Sequence, residues 1–370
     1  MQELLPYVLM AIKIVVIFAA VMTMVPVMIY AERKVVAGFQ VRVGPNRLGP
    51  WGVMQPLADA LKLMMKEDIT PAGADRHIYY LAPLLSIVPA LLACAVIPFG
   101  PAPWTRITDF NHSLLFSLAL SSLSVYAITL AGWSSNNKYS LMGALRSSAQ
   151  MISYEMGMGL AIIALLMVTG SLSIRHIIDN QHLHGWNIVG GGNLLATIPM
   201  IIAFGVYIIC GIAETNRAPF DLAEAESELV AGFHTEYSSF KFAMFFMAEY
   251  VNMVTISCLA TALFFGGWSG PGVSVSQEQL THMALGLSKD AAGVAYPTVP
   301  IWMVLLGVVY FVLKAFAFLF GYIWLRATLP RLRYDQLMRF GWKTLLPISL
   351  ANIFLAAMVF AVKNGWFNGG

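Results

Sequence analysis

The stretch Glu214-Thr-Asn-Arg-Ala-Pro-Phe-Asp-Leu-Ala-Glu-Ala-Glu-Ser-Glu-Leu-Val-Ala-Gly232 gathers Glu214, Asp221, Glu224, Glu226 and Glu228 around a single arginine, Arg217. Asp221, after Pro219 and three residues ahead of Glu224, reads as a helix N-cap with Glu224 as its capping-box partner. Capping does not account for Glu226 and Glu228. Glu224 and Glu228 lie i,i+4 on one face, so each disfavours ionisation of the other, while the helix N-terminus and Arg217 favour it. Opposed terms of this kind predict raised, coupled titrations and a site where small structural changes move protons. The plainer alternative is a solvated acidic run.

Two further carboxylates, Glu155 and Glu249, fall inside long apolar runs. A carboxylate at membrane depth costs several kcal/mol unless it faces protein or water, so both need partners. Ser153 and Tyr154 precede Glu155, and Tyr250 and Asn252 follow Glu249, placing donors within a turn of each. Tyr207, Cys210 and Glu214 follow i, i+3, i+7, so Glu214 closes a face that leads down from the acidic loop. The alternative role is a protonated acid that locks helices together.

A second charged segment runs from Glu32-Arg33-Lys34 through Val43-Gly-Pro-Asn-Arg-Leu-Gly-Pro50 to Lys66. Its Gly and Pro density imposes a tight turn. From Val53 the pattern is helical: Met54, Leu57, Ala58, Leu61 and Met65 form an apolar face, with Gln55, Asp59, Lys62 and Lys66 opposite. This is an amphipathic helix along the membrane surface or against the bundle. In the plainer reading Asp59 and Lys62 are a solvated i,i+3 pair.

The elements that must hold these residues are membrane helices. Hydrophobic residues make up 58% of the 370, charged residues 11%, and the mean hydropathy is +0.72. A spanning helix needs about 20 mostly apolar residues. Eight segments qualify: Leu4–Tyr30, Tyr79–Phe99, Ser113–Trp133, Met151–Val168, Leu194–Ala213, Phe242–Phe265, Ile301–Leu325 and Leu345–Val362. The expected fold is an all-α integral membrane protein, a single domain over 1–370. About eight transmembrane helices are joined by amphipathic surface helices in cytoplasmic loops at 31–78 and 214–241. Sixteen of the 22 Lys and Arg residues fall in one set of loops, four in the other. The positive-inside rule then puts both termini outside.

Several classes are excluded. A net charge of +3 spread between apolar runs does not suit nucleic acid. Cys94, Cys210 and Cys258 each stand alone, without CxxC or a His/Cys cluster, so no metal or iron–sulfur site is read. Nucleotide-binding glycine motifs are missing as well. His176, His182 and His184 are read as part of a solvated outer loop over Ser171–Asn193. Lys13 is compatible with snorkelling outward and Lys314 with pairing to an acid, and no motif decides either role. Ser113, Ser117, Ser121 and Ser124 form a small-residue packing stripe.

Gly52-Val-Met-Gln-Pro-Leu-Ala-Asp-Ala-Leu-Lys62 and Pro219-Phe-Asp-Leu-Ala-Glu-Ala-Glu-Ser-Glu-Leu-Val-Ala-Gly232 resemble the two signatures of one family, the quinone-site membrane subunit (the H-type subunit) of proton-pumping NADH:quinone oxidoreductase, complex I. The likeness covers almost the whole chain, from Glu32-Arg33-Lys34 through Glu236-Tyr237-Ser238 to the eighth helix. It implies a multi-pass component of the bacterial inner membrane at the joint of the membrane and peripheral arms. Quinone would be the substrate, with NADH, FMN and iron–sulfur clusters held by partner subunits. It further implies a quinone chamber walled by Glu32, Arg33, Arg47, Gln55, Asp59, Lys62, Arg217 and Asp221. A carboxylate relay would run through Glu155, Glu214, Glu224, Glu226, Glu228 and Glu249.

Two other readings stay open on the sequence. Membrane-bound hydrogenase-type ion pumps contain similar subunits with the relay but no quinone chamber; the full Val43–Lys66 loop speaks for the quinone version. A stand-alone ion or solute carrier would be active as a single chain in liposomes, whereas an obligate component of a complex would not.

Overall fold

In a bilayer every backbone polar group must be satisfied within the protein, which leaves helices as the solution for long apolar runs. The computed structural model of the chain describes residues 5–221, 231–276 and 299–363. Among them there are helices and no strands. They are α1 (Leu5–Phe39), α2 (Gln55–Met65), α3 (Arg76–Ala93), α4 (Ser113–Ser134), α5 (Lys138–Thr169), α6 (Ile174–His184), α7 (Thr197–Glu214), α8 (Ser239–Phe264), α9 (Ile301–Thr328), α10 (Tyr334–Phe340) and α11 (Leu346–Lys363). Among the described residues eight helical stretches are long and apolar enough to cross a membrane.

The eight expected spans are present, but three are longer than expected. α1 continues past Tyr30 to Phe39, carrying Glu32 and Arg33 on helix. α5 begins at Lys138 instead of Met151, with Asn137 capping it by accepting from Tyr139 N–H at 3.0 Å. The last span reaches back through a π-helical turn at Gly341–Leu345 into α10. In each case the apolar run stops at polar or charged residues while the helical backbone continues. The expected outer loop over Ser171–Asn193 instead contains α6, with Ser173 as N-cap and Ile174, Ile177 and Ile178 buried.

Lipid tails are as apolar as leucine, so close packing of small residues replaces hydrophobic collapse between spans. α4 lies against α3 and α5, with Ser113, Ser117 and Ser124 buried. α5 in turn packs on α7 and α11, and α3 on α8. Near the N-terminal end of α5, Gly143 faces the turn at Gly232, whose φ of +61° suits glycine. A Cβ on Gly143 would stand 2.8 Å from Gly232 Cα. α1 sits at the edge, touching α2, α8 and α9, with Val21, Val25 and Met28 turned into the core.

Candidate functional site

At the end of the bundle that carries the Lys- and Arg-rich loops, four elements converge on one buried carboxylate. Glu32 is on the last turns of α1 and is 8% exposed. The Tyr250 hydroxyl, from α8, donates to its Oε2 at 2.5 Å. The Arg326 guanidinium, from the last turn of α9, donates to its Oε1. Arg217 Nη1, from the segment after α7, lies 3.6 Å from Oε1. Two cations and a hydroxyl offset the desolvation of this acid.

Arg217 is itself shared. Its Nη2 is 3.8 Å from Glu249 Oε2, and its guanidinium carbon lies 4.2 Å from the centroid of the Tyr250 ring and 5.6 Å from that of Phe246. A planar, delocalised cation suits this stacked position as an ammonium would not. Glu249 is one residue before Tyr250 on α8, so one helical segment supplies both an acid for Arg217 and a hydroxyl for Glu32. The sequence suggested Tyr250 as a donor for Glu249; it serves Glu32 instead.

Glu214, the last residue of α7, lies deeper in the bundle and is 6% exposed, and among the described residues its Oε2 has no hydrogen-bond partner. A cavity of about 20 Å³ is shared by Glu214, Glu249, Asn252, Ser86 and Ser124, and a second of the same size by Glu214, Ser117, Ser121 and Thr255. Each has room for one water. Glu155 lies near enough for its charge to act on Glu214. The donor to Glu155 is Ser122 of α4. It is neither Ser153, which donates to Ala149 O, nor Tyr154, which donates to Leu337 O. As expected, Tyr207, Cys210 and Glu214 form one buried face of α7.

The first inner segment forms a second cluster. Arg33 pairs with Asp59 of α2 at 2.5 Å, and Gln55 Nε2 donates to the other carboxylate oxygen at 3.3 Å. Asp59 therefore reaches back to α1, and the alternative pair with Lys62 is not formed. Lys62 and Arg47 are exposed. Leu57, Leu61 and Met65 present the apolar face of α2 at the surface. Tyr30 donates to Trp51 O at 2.9 Å and fixes the loop to α1.

Asp221 is 5% exposed and pairs with Arg331 at 3.0 Å. Glu224, Glu226 and Glu228, with the capping box and coupled titration expected there, lie outside the described residues. The structure thus brings Glu32, Arg217 and Glu249 together, sets Glu214 and Glu155 beyond them, and joins Arg33, Gln55 and Asp59 separately. Sequence reasoning missed Arg326, Arg331 and Ser122. The two arginines were counted only as inner-side charge; their position at the end of an apolar run was the available signal. Lys314, whose partner the sequence leaves open, donates its ammonium to the carbonyls of Phe265, Gly267 and Ser269 at 2.7, 3.0 and 2.6 Å. Lys13 donates to Pro103 O at 3.3 Å.

A family model described as NADH dehydrogenase matches residues 12–357. The chain is 47% identical over 371 residues to an H-type NADH-quinone oxidoreductase subunit, number 2, of Koribacter versatilis (strain Ellin345), covering 95% of this chain and 97% of that one. It is 47% identical over 388 residues to the H-type subunit, number 1, of Solibacter usitatus (strain Ellin6076), covering 95% and 96%. Likeness to the H-type subunit of Leptospira biflexa serovar Patoc (strain Patoc 1 / Ames) is 47% over 371 residues, covering 96% of each.

Proposed function

The chain belongs to the family of H-type membrane subunits of NADH-quinone oxidoreductase, and from that premise we propose that it walls a quinone chamber and passes the charge change of quinone reduction into a buried carboxylate relay. The observation that carries this reading is the position of Arg217, between Glu32 and Glu249, with Glu214 and Glu155 beyond them. Reduction of a quinone head takes up protons, and charge near an ion-pair network shifts its protonation equilibrium. Arg33, Arg47, Gln55, Asp59, Lys62 and Asp221 line the route to the head; Glu32 and Arg217 respond to it. Glu249, Glu214 and Glu155 carry the response onward, with Glu224, Glu226 and Glu228 serving at its entrance.

The electron donors in this reading, NADH, FMN and iron–sulfur clusters, belong to partner subunits, and the pumping step is shared with membrane-arm partners. The loops rich in Lys and Arg face the cytoplasm and both termini the opposite side of a bacterial inner membrane. The test uses the assembled complex in inverted vesicles. Glu155→Gln or Glu214→Gln is expected to lower quinone-driven proton uptake, whereas normal uptake and normal quinone reduction in both variants would refute the relay. A photoreactive quinone should label Gln55–Lys62 or Arg217–Glu228; labelling confined to other subunits would refute the chamber.

A further inference from the structure

The serine stripe of α4 does more than pack. Its middle members, Ser117 and Ser121, line the water-sized cavity that Glu214 also lines, and among the described residues the deeply buried Glu214 Oε2 has no hydrogen-bond partner. A cavity with a buried carboxylate oxygen and hydroxyl neighbours is a place where water binds. One turn further out, Ser113 Oγ accepts from the backbone N–H of Ile174 at 2.9 Å, and Leu114 N–H donates to Leu172 O at 3.2 Å. The stripe thus reaches from the cavity beside Glu214 to the first residue of α6, near the end of the bundle opposite the acidic loop.

That end is closed by charge. Arg175, the second residue of α6, pairs with Asp109 at 2.8 Å and with Asp179 at 3.3 Å. Arg106, from the segment between α3 and α4, pairs with the same Asp109 oxygen at 3.0 Å. The two arginine side chains are 10% and 9% exposed, the aspartates 30% and 17%. The cations are thus the more deeply buried members of this cluster, with the carboxylates nearer solvent. A guanidinium keeps its proton at any physiological pH, so it can neither accept nor relay one. A buried positive end also repels an approaching hydronium ion, as arginines do in water-conducting pores. A file of hydroxyls and waters ending on an exchanging carboxylate would otherwise be a leak.

We propose that Arg106 and Arg175 are a proton seal that closes the Ser113–Ser124 file between Glu214 and the far face of the membrane. The proposal rests on the relay reading of Glu214 and adds residues that neither the signatures nor the inner cluster contain.

The test measures passive proton flux. The assembled complex in proteoliposomes, without NADH or quinone, is given a potassium diffusion potential, and internal pH is followed with a trapped dye. Arg106→Gln and Arg175→Gln, on separate segments, are each expected to raise the flux about tenfold, the effect of lowering a barrier by roughly 1.4 kcal/mol. Arg→Lys at either position is expected to stay near wild type. Adding Glu214→Gln to a leaking variant should restore tightness, because the file ends there. Asp109→Asn keeps both guanidiniums and is expected to be tight. The seal is overturned if an assembled Gln variant is as tight as wild type, if its leak survives Glu214→Gln, or if Asp109→Asn leaks as much as the arginine variants. Failure of the relay shows separately, as unchanged proton pumping in Glu214→Gln alone.

Discussion

The Tyr250 hydroxyl donates to Glu32 Oε2 at 2.5 Å, joining α8 to α1 across 218 positions of sequence. The face of the same ring carries Arg217, which in turn lies within ion-pair distance of both Glu32 and Glu249. One tyrosine thus sets the geometry of a three-charge group without contributing charge to it.

Tyr250→Phe keeps the stacked ring and removes only the donor. A hydrogen bond to a charged group contributes roughly 1.5–3 kcal/mol. The variant should lose about that much stability and slow quinone reduction. Combined with Glu32→Gln in a double-mutant cycle, the two losses should be non-additive. Additive losses would mean that the contact is not energetically coupled.

Arg217→Met leaves Glu249 and Glu32 with less compensation in a buried site. Removing one partner of a buried pair costs roughly 3–5 kcal/mol. Arg217→Lys restores charge but not the flat stack on Tyr250, so its rate should fall between wild type and the Met variant. Equal quinone reductase rates in the Lys variant and wild type would show that the stacking is unimportant.

Gly143→Ala tests how tightly α5 must approach the turn that follows the acidic segment. Its Cβ would stand 2.8 Å from Gly232 Cα, so the two elements must part. Overpacking of this kind costs roughly 1–3 kcal/mol. Thermal unfolding of the purified complex should show a lower midpoint, although no charge has been altered.

Much of this is readable from the sequence, and the exceptions have physical causes. The spans follow from composition, and the buried face of Glu214 from its i, i+3, i+7 relation to Tyr207 and Cys210. Span ends at Phe39 and Lys138 escape a hydropathy pattern because it stops at charged residues, while a helix needs only its backbone hydrogen bonds. The partners Arg326 and Ser122 come from distant helices, and spacing within a segment reports only neighbours on that segment. α6 reads as a loop by its polar composition, although Ser173 and the Ile174, Ile177, Ile178 spacing carry the helical signal. Arg175 and Asp179 at i,i+4 carry that of the outer ionic cluster.

His234 supplies a pH dependence. Burial pushes its imidazole down to about 4 from the usual 6.5. Between those values the unfolded chain binds a proton that the folded chain does not. This contribution to stability is therefore complete above pH 6.5 and is lost as pH falls toward 4, by up to roughly 3 kcal/mol. The ring is stacked between Phe233 and Phe242, at 4.8 and 5.3 Å, so His234→Phe preserves the packing. Melting curves at pH 7.5 and pH 5 should differ less in the variant than in wild type; an equal drop would contradict the assignment.

In the proposed relay Glu214 meets Glu249 of the charge cluster across a water-sized cavity, and Glu155 lies near enough for its charge to act on Glu214. The most direct test of that relay is the ratio of protons moved to electrons passed in Glu214→Gln, measured on the assembled complex in sealed vesicles with NADH as donor. A fall in the ratio, with electron transfer slowed by the lost coupling, is the predicted result. A wild-type ratio at a wild-type rate would contradict the account.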